Sequence, residues 1–599
     1  MRLPPLPSSL APLGSNGALC PLCETAQDAT PLVDALASTA RRVRSPLFFP
    51  GHKMGGAAPE RLVAALSRRP LRLDLPELPE LDNLFAPEGV IQDAQHLAAR
   101  AFSAERTWFL VNGSTVGVLA AVTAAVQIWR QRAGGRRRGE RPLILVPRNA
   151  HKSVYSAMVV AGAEPLWLTP EYDETSGLCL GVASSSVAAG VAKGGARVAA
   201  VLVVSPTYEG VLSDVSAIGQ LCRSANVPLI VDEAHGAHLQ FLPEAAPLPA
   251  PSTGGDGGTA TALARFPRGA LLEGADVVVQ STHKTLGSLT QSAMVHMGPG
   301  ALSRFPPLAP AIGAALELLQ SSSPSYLLLA SLDAARWQMA SPRANGRARL
   351  LRASHHAEWL RDRLQSLPDG CPRLAAFAHD RAGVHALDPL RVTLLASEST
   401  DGFELDESLI ADGVYAELPQ QHSLTLALSA GTTRNHVRRL VRSLRRLEHN
   451  GADAADAAHQ TSLREAAIAV AQQTVATGEA DAASPRDAYF RERRHVEADA
   501  AVGRIAAELI CPYPPGIPTL VPGEPVTREA LEELRRLRDA GCTITGGSDP
   551  QLHTIAVLED QEGGSEAAAD ADAEEQASAA LEAEYERTLG GLFDAGAAE

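Results

Sequence analysis

Two short stretches carry residues that could act together on one substrate. VDEAHGAH (231–238) closes the apolar run VPLIV with Asp232, Glu233 and His235. QSTHKT (280–285) follows the apolar run ADVVV and sets Lys284 beside Ser281 and His283. Ligand sites in parallel sheets gather at the carboxyl ends of strands. A carboxylate and a lysine at neighbouring strand ends suit one cofactor, pyridoxal phosphate. It binds lysine as a Schiff base and needs an acid opposite its pyridinium nitrogen. Read singly, each has a bland explanation: the acid caps a strand end, and the lysine is a surface residue.

Three more stretches repeat the pattern. In LVNGSTVGVLAAV a strand ends near Asn112, a turn bears Ser114 and Thr115, and an apolar helix begins. Free N–H groups at a helix start favour phosphate, although either hydroxyl is also an ordinary N-cap. In PRNAHKSVYSAM, His151 opens a helix, where it could stack flat on an aromatic cofactor or simply cap. SPTYEG (205–210) places Thr207 just past VAAVLVV. Five polar clusters at strand ends exceed what capping requires.

The elements that position them alternate. Strand-like runs LILVPR, VAAVLVVS, VPLIVDEAH and ADVVVQS are separated by helical segments such as VGVLAAVTAAVQIWRQR and DVSAIGQLCRSA. Short β-rich runs between helices indicate a parallel sheet with crossover helices. Around this α/β major domain (41–339, with an insertion at about 245–264), the sequence divides into further parts. These are a leader (1–40), a small α/β domain (340–449), a linker with one apolar-periodic stretch, LREAAIAVAQQ (450–485), a C-terminal domain (486–558) and an acidic tail (559–599). GRRRG (135–139) reads as a solvated basic turn.

Composition narrows the function classes. The 599 residues are 45% hydrophobic and 20% charged, as in ordinary globular proteins. The tail holds thirteen acids and one base, Arg587, and so carries −12 of the net −15. The body is near neutral, without the basic stripe of a nucleic-acid-binding protein. No apolar run reaches transmembrane length. The seven cysteines are scattered; CPLC (Cys20, Cys23) has metal-ligand spacing but no second pair, so neither a disulfide framework nor a metal is expected. The leader has no acid in its first 23 residues and is compatible with a transit peptide or a disordered segment, so a cytoplasmic or plastid location is expected.

Eight motifs occur in one order: GHKMGG, NGSTVG, RNAHKS, SPTYEGV, VDEAHGAH, STHKTLGSLTQ, SSSPSYLLLASLDAAR and YPPGIPTLVPGE. Together they resemble the Orn/Lys/Arg decarboxylase family, and LDLPELPELDNLFAPEGVI resembles its shorter cyanobacterial, plant and algal members. The resemblance spans about residues 40–558. It implies a pyridoxal phosphate enzyme of fold type I (aminotransferase-like), with a smaller α+β domain and a C-terminal decarboxylase domain. The implied reaction is decarboxylation of arginine, lysine or ornithine to an amine, feeding polyamine synthesis.

The resemblance also implies roles. Lys284 would carry the cofactor, Asp232 would face its ring nitrogen and His151 its ring face. Ser114, Thr115, Ser281 and His283 would hold its phosphate, with Thr207 and His235 near the ring. His283 or a group near Lys284 would return the proton. Ser322 would reach the partner subunit's phosphate, implying a homodimer or tetramer with the active site at the subunit interface. Glu524 would lie near the substrate's distal cation and Arg391 near its carboxylate. About 45 residues precede the first motif, too few for the wing domain of inducible bacterial members, so a decamer is not expected. An aminotransferase, another lyase of this fold or a non-catalytic regulatory relative are the alternatives. YPPGIPTLVPGE disfavours the first two, and retention of Lys284, Asp232 and His151 disfavours the last.

Overall fold

A computed structural model describes residues 26–559, apart from 133–139, 175, 244–265, 369–370, 376, 378–380, 397–399, 448–482, 514–515 and 540. The leader up to residue 25, the CPLC pair, GRRRG, the 245–264 insertion, LREAAIAVAQQ and the tail beyond Glu559 lie outside the described residues. Among the described residues no helix is long and apolar enough to cross a membrane.

The central sheet has seven strands: β1 (Arg106–Leu110), β2 (Leu143–Pro147), β3 (Glu164–Leu168), β4 (Val198–Val204), β5 (Leu229–Asp232), β6 (Val277–Gln280) and β7 (Ala293–Met297). Their order is β1-β7-β6-β5-β4-β2-β3. Strands β2 to β6 pair in parallel, and β7 runs antiparallel to both its neighbours, β1 and β6. The carboxyl ends of β1, β2, β4, β5 and β6 therefore share one edge. Strands β2, β5, β6 and β7 are buried along their whole length. This follows from helices covering both faces, which removes the polar side of the usual alternation.

The helix Gly113–Arg132 (α1) packs across this sheet. A Cβ at Gly117 would come within 2.8–2.9 Å of side-chain atoms of Leu110, Val279 and Val295. The absent side chain lets α1 sit against the strands and holds its first turn at the sheet edge.

Beyond the sheet, Arg391–Leu395 (β8), Leu418–Gln420 (β9) and Ser423–Ala427 (β10) form an antiparallel sheet with Arg373–Leu374. The Arg-rich helix Arg434–Leu444 buries Val437, Leu440, Val441 and Leu444 and leaves most of its arginines exposed. The C-terminal region pairs Arg493–Glu497 with Thr554–Leu558 around a separate core that includes Ile510, Leu520, Leu531 and Ile555.

Candidate active site

A cavity of about 200 Å³ opens at the carboxyl edge of the sheet. Ser114, His151, Thr207, Asp232, His235 and Lys284 all line it. These six come from five separate strand ends, so the edge that the sequence pattern marks is a single site.

Lys284 lies on the short helical turn Thr282–Thr285 that follows β6. Its side chain opens into the cavity, so no charge is entombed at the strand end. Nζ is 2.8 Å from His235 Nε2 and 5.5 Å from the centre of the Tyr208 ring. The protein around the amine lowers its pKa, while Asp232 and Glu417 oppose that shift and Arg391 adds to it. A lowered ammonium pKa raises the fraction of free, nucleophilic amine.

Asp232, the last residue of β5, is buried, and its Oδ1 accepts the Ala234 N–H at 3.1 Å. Burial pushes its carboxyl up, and Lys284 pulls it back. Glu233 faces elsewhere, as alternation along a strand requires. It accepts the Ala270 N–H at 2.8 Å and the Gln280 amide at 2.6 Å, and burial pushes it up to about 7. Gln280 in turn meets His296, which meets Thr107, so these buried groups satisfy one another beneath the site.

His151 both caps and lines. It is the N-cap of the helix Lys152–Ala161, accepting the Ser153 N–H on Nδ1 at 3.2 Å. The ring's other edge remains turned to the cavity wall, where the loop carrying Gly516 and Ile517 closes in. Lys152 donates its N–H to Gly516 O at 3.2 Å, and Ile517 lines the cavity. Burial, with Lys284 and Lys152 nearby, lowers the His151 pKa to about 4, so the ring is neutral at physiological pH. Its unfolded value is 6.5. The unfolded chain therefore takes up this proton first, and stability falls as pH drops from 6.5 toward 4. His235 and His296 are lowered too and act with the same sign. The expected result is that His151→Phe flattens, without abolishing, the loss of stability to urea between pH 7 and 5. An unchanged slope would count against a neutral His151.

Ser281 donates to Ser114 Oγ at 2.7 Å, joining the turn after β6 to the start of α1. Thr115 is exposed. His283 is half-buried and does not line the cavity; its Nδ1 lies 2.8 Å from Ser292 O and donates there. Ser322 is exposed on a loop anchored beside the same turn, since Asn112 Oδ1 accepts the Ser321 N–H at 3.0 Å.

Arg391 is buried behind the lining, with its Nε lacking a hydrogen-bond partner. Gly210 (φ 91°) makes room for it, because a Cβ there would lie 2.5 Å from Arg391 Cβ. His238 and Asp388, both fully buried and 2.9 Å apart, fix the turn just before Arg391. Burial would raise the Asp388 carboxyl, but His238 and Arg391 outweigh it and hold it below the ordinary range.

Glu524 departs from its expected place. It does not line the cavity; its Oε2 pairs with Arg148 Nη2 at 3.0 Å, and both side chains are buried. Arg148 also donates to Tyr155 OH and Thr519 O. With an arginine just past β2, this carboxylate already has its cation.

Other lining residues escaped the sequence reading. Tyr208 packs edge-on against His235, with ring centres 4.1 Å apart. Asn149, Tyr172, Cys179 and Glu209 form another part of the wall. Asn149, Tyr208 and Glu209 lie inside motifs already singled out, whereas Tyr172 and Cys179 sit in a loop without any recognisable pattern.

Comparison with known proteins completes the description. Residues 30–392 match the family model described as Orn/Lys/Arg decarboxylase, major domain, and residues 464–567 match that of its C-terminal domain. An arginine decarboxylase of Bacillus subtilis is 31% identical over 89% of this chain and 99% of its own length. The lysine decarboxylase LdcA of Pseudomonas aeruginosa is 27% identical over 81% of this chain and 72% of its own. The solved structure of lysine decarboxylase A from the same organism superposes with a TM-score of 0.70 at 24% identity, covering 89% of this chain and 81% of that one.

Proposed function

The chain belongs to the Orn/Lys/Arg decarboxylase family, and from that premise we propose that it decarboxylates a basic amino acid (arginine, lysine or ornithine) to the corresponding amine, for polyamine synthesis. The observation that carries the proposal is the convergence of Lys284, Asp232 and His151 on one cavity at the sheet edge.

Pyridoxal phosphate is the cofactor of this family, and the cavity suits it. A nucleophilic amine, a buried carboxylate, a neutral flat imidazole and paired serine hydroxyls at a helix start are the donor set that the group requires. When bound, it supplies an electron sink for the pair released as the bond between the α-carbon and the carboxylate breaks.

The side chains do the rest. Lys284 would hold the cofactor through its side-chain amine, which opens into the cavity. Asp232 holds a proton at the ring nitrogen, where its carboxylate offsets the positive charge. His151 covers one ring face and keeps water from it. Ser114 and Ser281, joined through their hydroxyls, would take the phosphate at the helix start that also bears Thr115, while Thr207 and His235 would orient the ring edge. Arg391 adds positive potential behind the wall. The lowered pKa of Lys284 suits it to return a proton to the α-carbon. The exposed Ser321–Ser323 loop, tied to the phosphate-binding turn, supports a dimer in which Ser322 reaches across.

Purified, cofactor-loaded protein given arginine, lysine and ornithine separately should release carbon dioxide and amine in equal amounts from at least one. Keto acid formation without carbon dioxide would instead indicate amino transfer. No reaction with any of the three would overturn the proposal.

A further inference from the structure

The substrate's distal cation needs a buried anion or a set of acceptors facing the cavity. Glu524 is committed to Arg148. Glu209 is not committed. Its side chain is buried, it lines the cavity, and it forms no ion pair among the described residues. Its carboxylate accepts from its own backbone N–H and from the Thr207 hydroxyl, and Arg391, though within electrostatic reach, forms no ion pair with it. Burial raises its carboxyl pKa, and the Thr207 hydroxyl and Arg391 oppose that shift.

Two neighbours extend this acceptor surface. Asn149 donates its amide to Cys179 Sγ at 3.0 Å, which leaves its Oδ1 buried and without a partner. Tyr172, on the loop after β3, lines the same wall, with its hydroxyl bonded to Cys179. The cavity thus presents a carboxylate, an amide oxygen and a phenol together. An ammonium is a compact charge with three donors. A guanidinium is a planar fork of five, suited to several acceptors at once.

We infer that Glu209, with Asn149 and Tyr172, is the subsite that receives the substrate's distal cation, and that it is built for a guanidinium. The inference rests on the decarboxylase reading of the site. It assigns arginine as the preferred substrate and Glu209 as the residue that selects it.

The test is steady-state kinetics on cofactor-loaded wild type, Glu209→Gln and Asn149→Ala, with arginine, lysine and ornithine. Wild type should prefer arginine. Glu209→Gln should raise KM for arginine about tenfold or more, because a hydrogen-bonded charge pair is lost. Its cofactor absorbance should be retained, and any fall in kcat should be smaller than the rise in KM. Asn149→Ala should raise KM for arginine more than for ornithine. Inhibition by agmatine, which carries the guanidinium without a carboxylate, should weaken in parallel. Glu209→Asp, which keeps the charge, should lie between wild type and Glu209→Gln and guards against a folding defect. An unmoved KM and unmoved agmatine inhibition in Glu209→Gln, with active wild type, overturn the subsite alone. Wild type that releases carbon dioxide from none of the three overturns the decarboxylase reading and the subsite together.

Discussion

Lys284→Ala is expected to lose turnover by on the order of a thousandfold or more, the scale seen when a covalent catalytic group is removed. Three features of the amine set that expectation. It stands at the end of β6 facing the cavity, it is held 2.8 Å from His235, and its surroundings lower its pKa. Alanine removes the anchor for the cofactor and the favoured proton donor in one change. The variant should also fail to retain cofactor covalently after borohydride reduction and dialysis, whereas wild type should retain it at Lys284. Mass spectrometry of the reduced peptide reads this independently of activity. Lys284→Arg should fail as well, because a guanidinium stays protonated and cannot act as the nucleophile. A Lys284→Ala protein with wild-type turnover would remove the basis of the whole mechanism.

Glu524→Ala is expected to destabilise the protein by about 3–5 kcal/mol, the cost of leaving one member of a buried ion pair uncompensated. Arg148 and Glu524 are 5% and 7% exposed, so solvent screens the pair little. Arg148 would keep Tyr155 OH and Thr519 O as partners but lose its only ion-pair carboxylate among the described residues. The double variant Arg148→Met/Glu524→Met should lie much nearer wild type, since apolar replacement of both partners removes the desolvation cost with the attraction. Urea unfolding of the two single variants and the double variant reads the difference. A Glu524→Ala protein as stable as wild type would mean that the pair contributes nothing. A selective rise in KM for one substrate, with stability intact, would return Glu524 to a role at the substrate.

Much of this architecture was legible from sequence, for a physical reason. Strands buried on both faces must be apolar along their length, and LILVP and VAAVLVV are so throughout, LIVD and VVVQ up to the polar residue at the carboxyl end. The amphipathic Arg434–Leu444 declared itself through 3.6-residue periodicity, and the long helix after NGST through its alanine-rich apolar length. Strand β3, EPLWL, did not, because it lies at a sheet edge, is only partly buried and tolerates a proline. Strand β7, AMVHM, hides a histidine whose partners, Thr107 and Gln280, lie on other strands.

The site divides in the same way. Lys284, Asp232, His151, Ser114, Thr207 and His235 were readable because strand ends converge by topology alone. Position does not reveal pairing, however. Glu524 belongs to a motif that also fits a substrate-facing acid, and only the fold shows Arg148 beside it. Tyr172 and Cys179 reach the wall from an irregular loop whose course no periodicity encodes.

The contact between the C-terminal loop and His151 has a consequence for synthesis. Arg148 and Glu524 are separated by 376 residues, and Gly516 and Ile517 arrive at the cavity almost as late. A ribosome completes the sheet edge and delivers Lys284 while the piece that covers His151 is still unmade. Contacts of such long sequence separation form late because the intervening chain must be ordered first. The cavity therefore stays open on that side until synthesis has passed residue 517. A nascent chain or a prematurely terminated product would expose the reactive lysine without the wall that encloses it, so competence for catalysis doubles as a report that the C-terminal region has been made and docked.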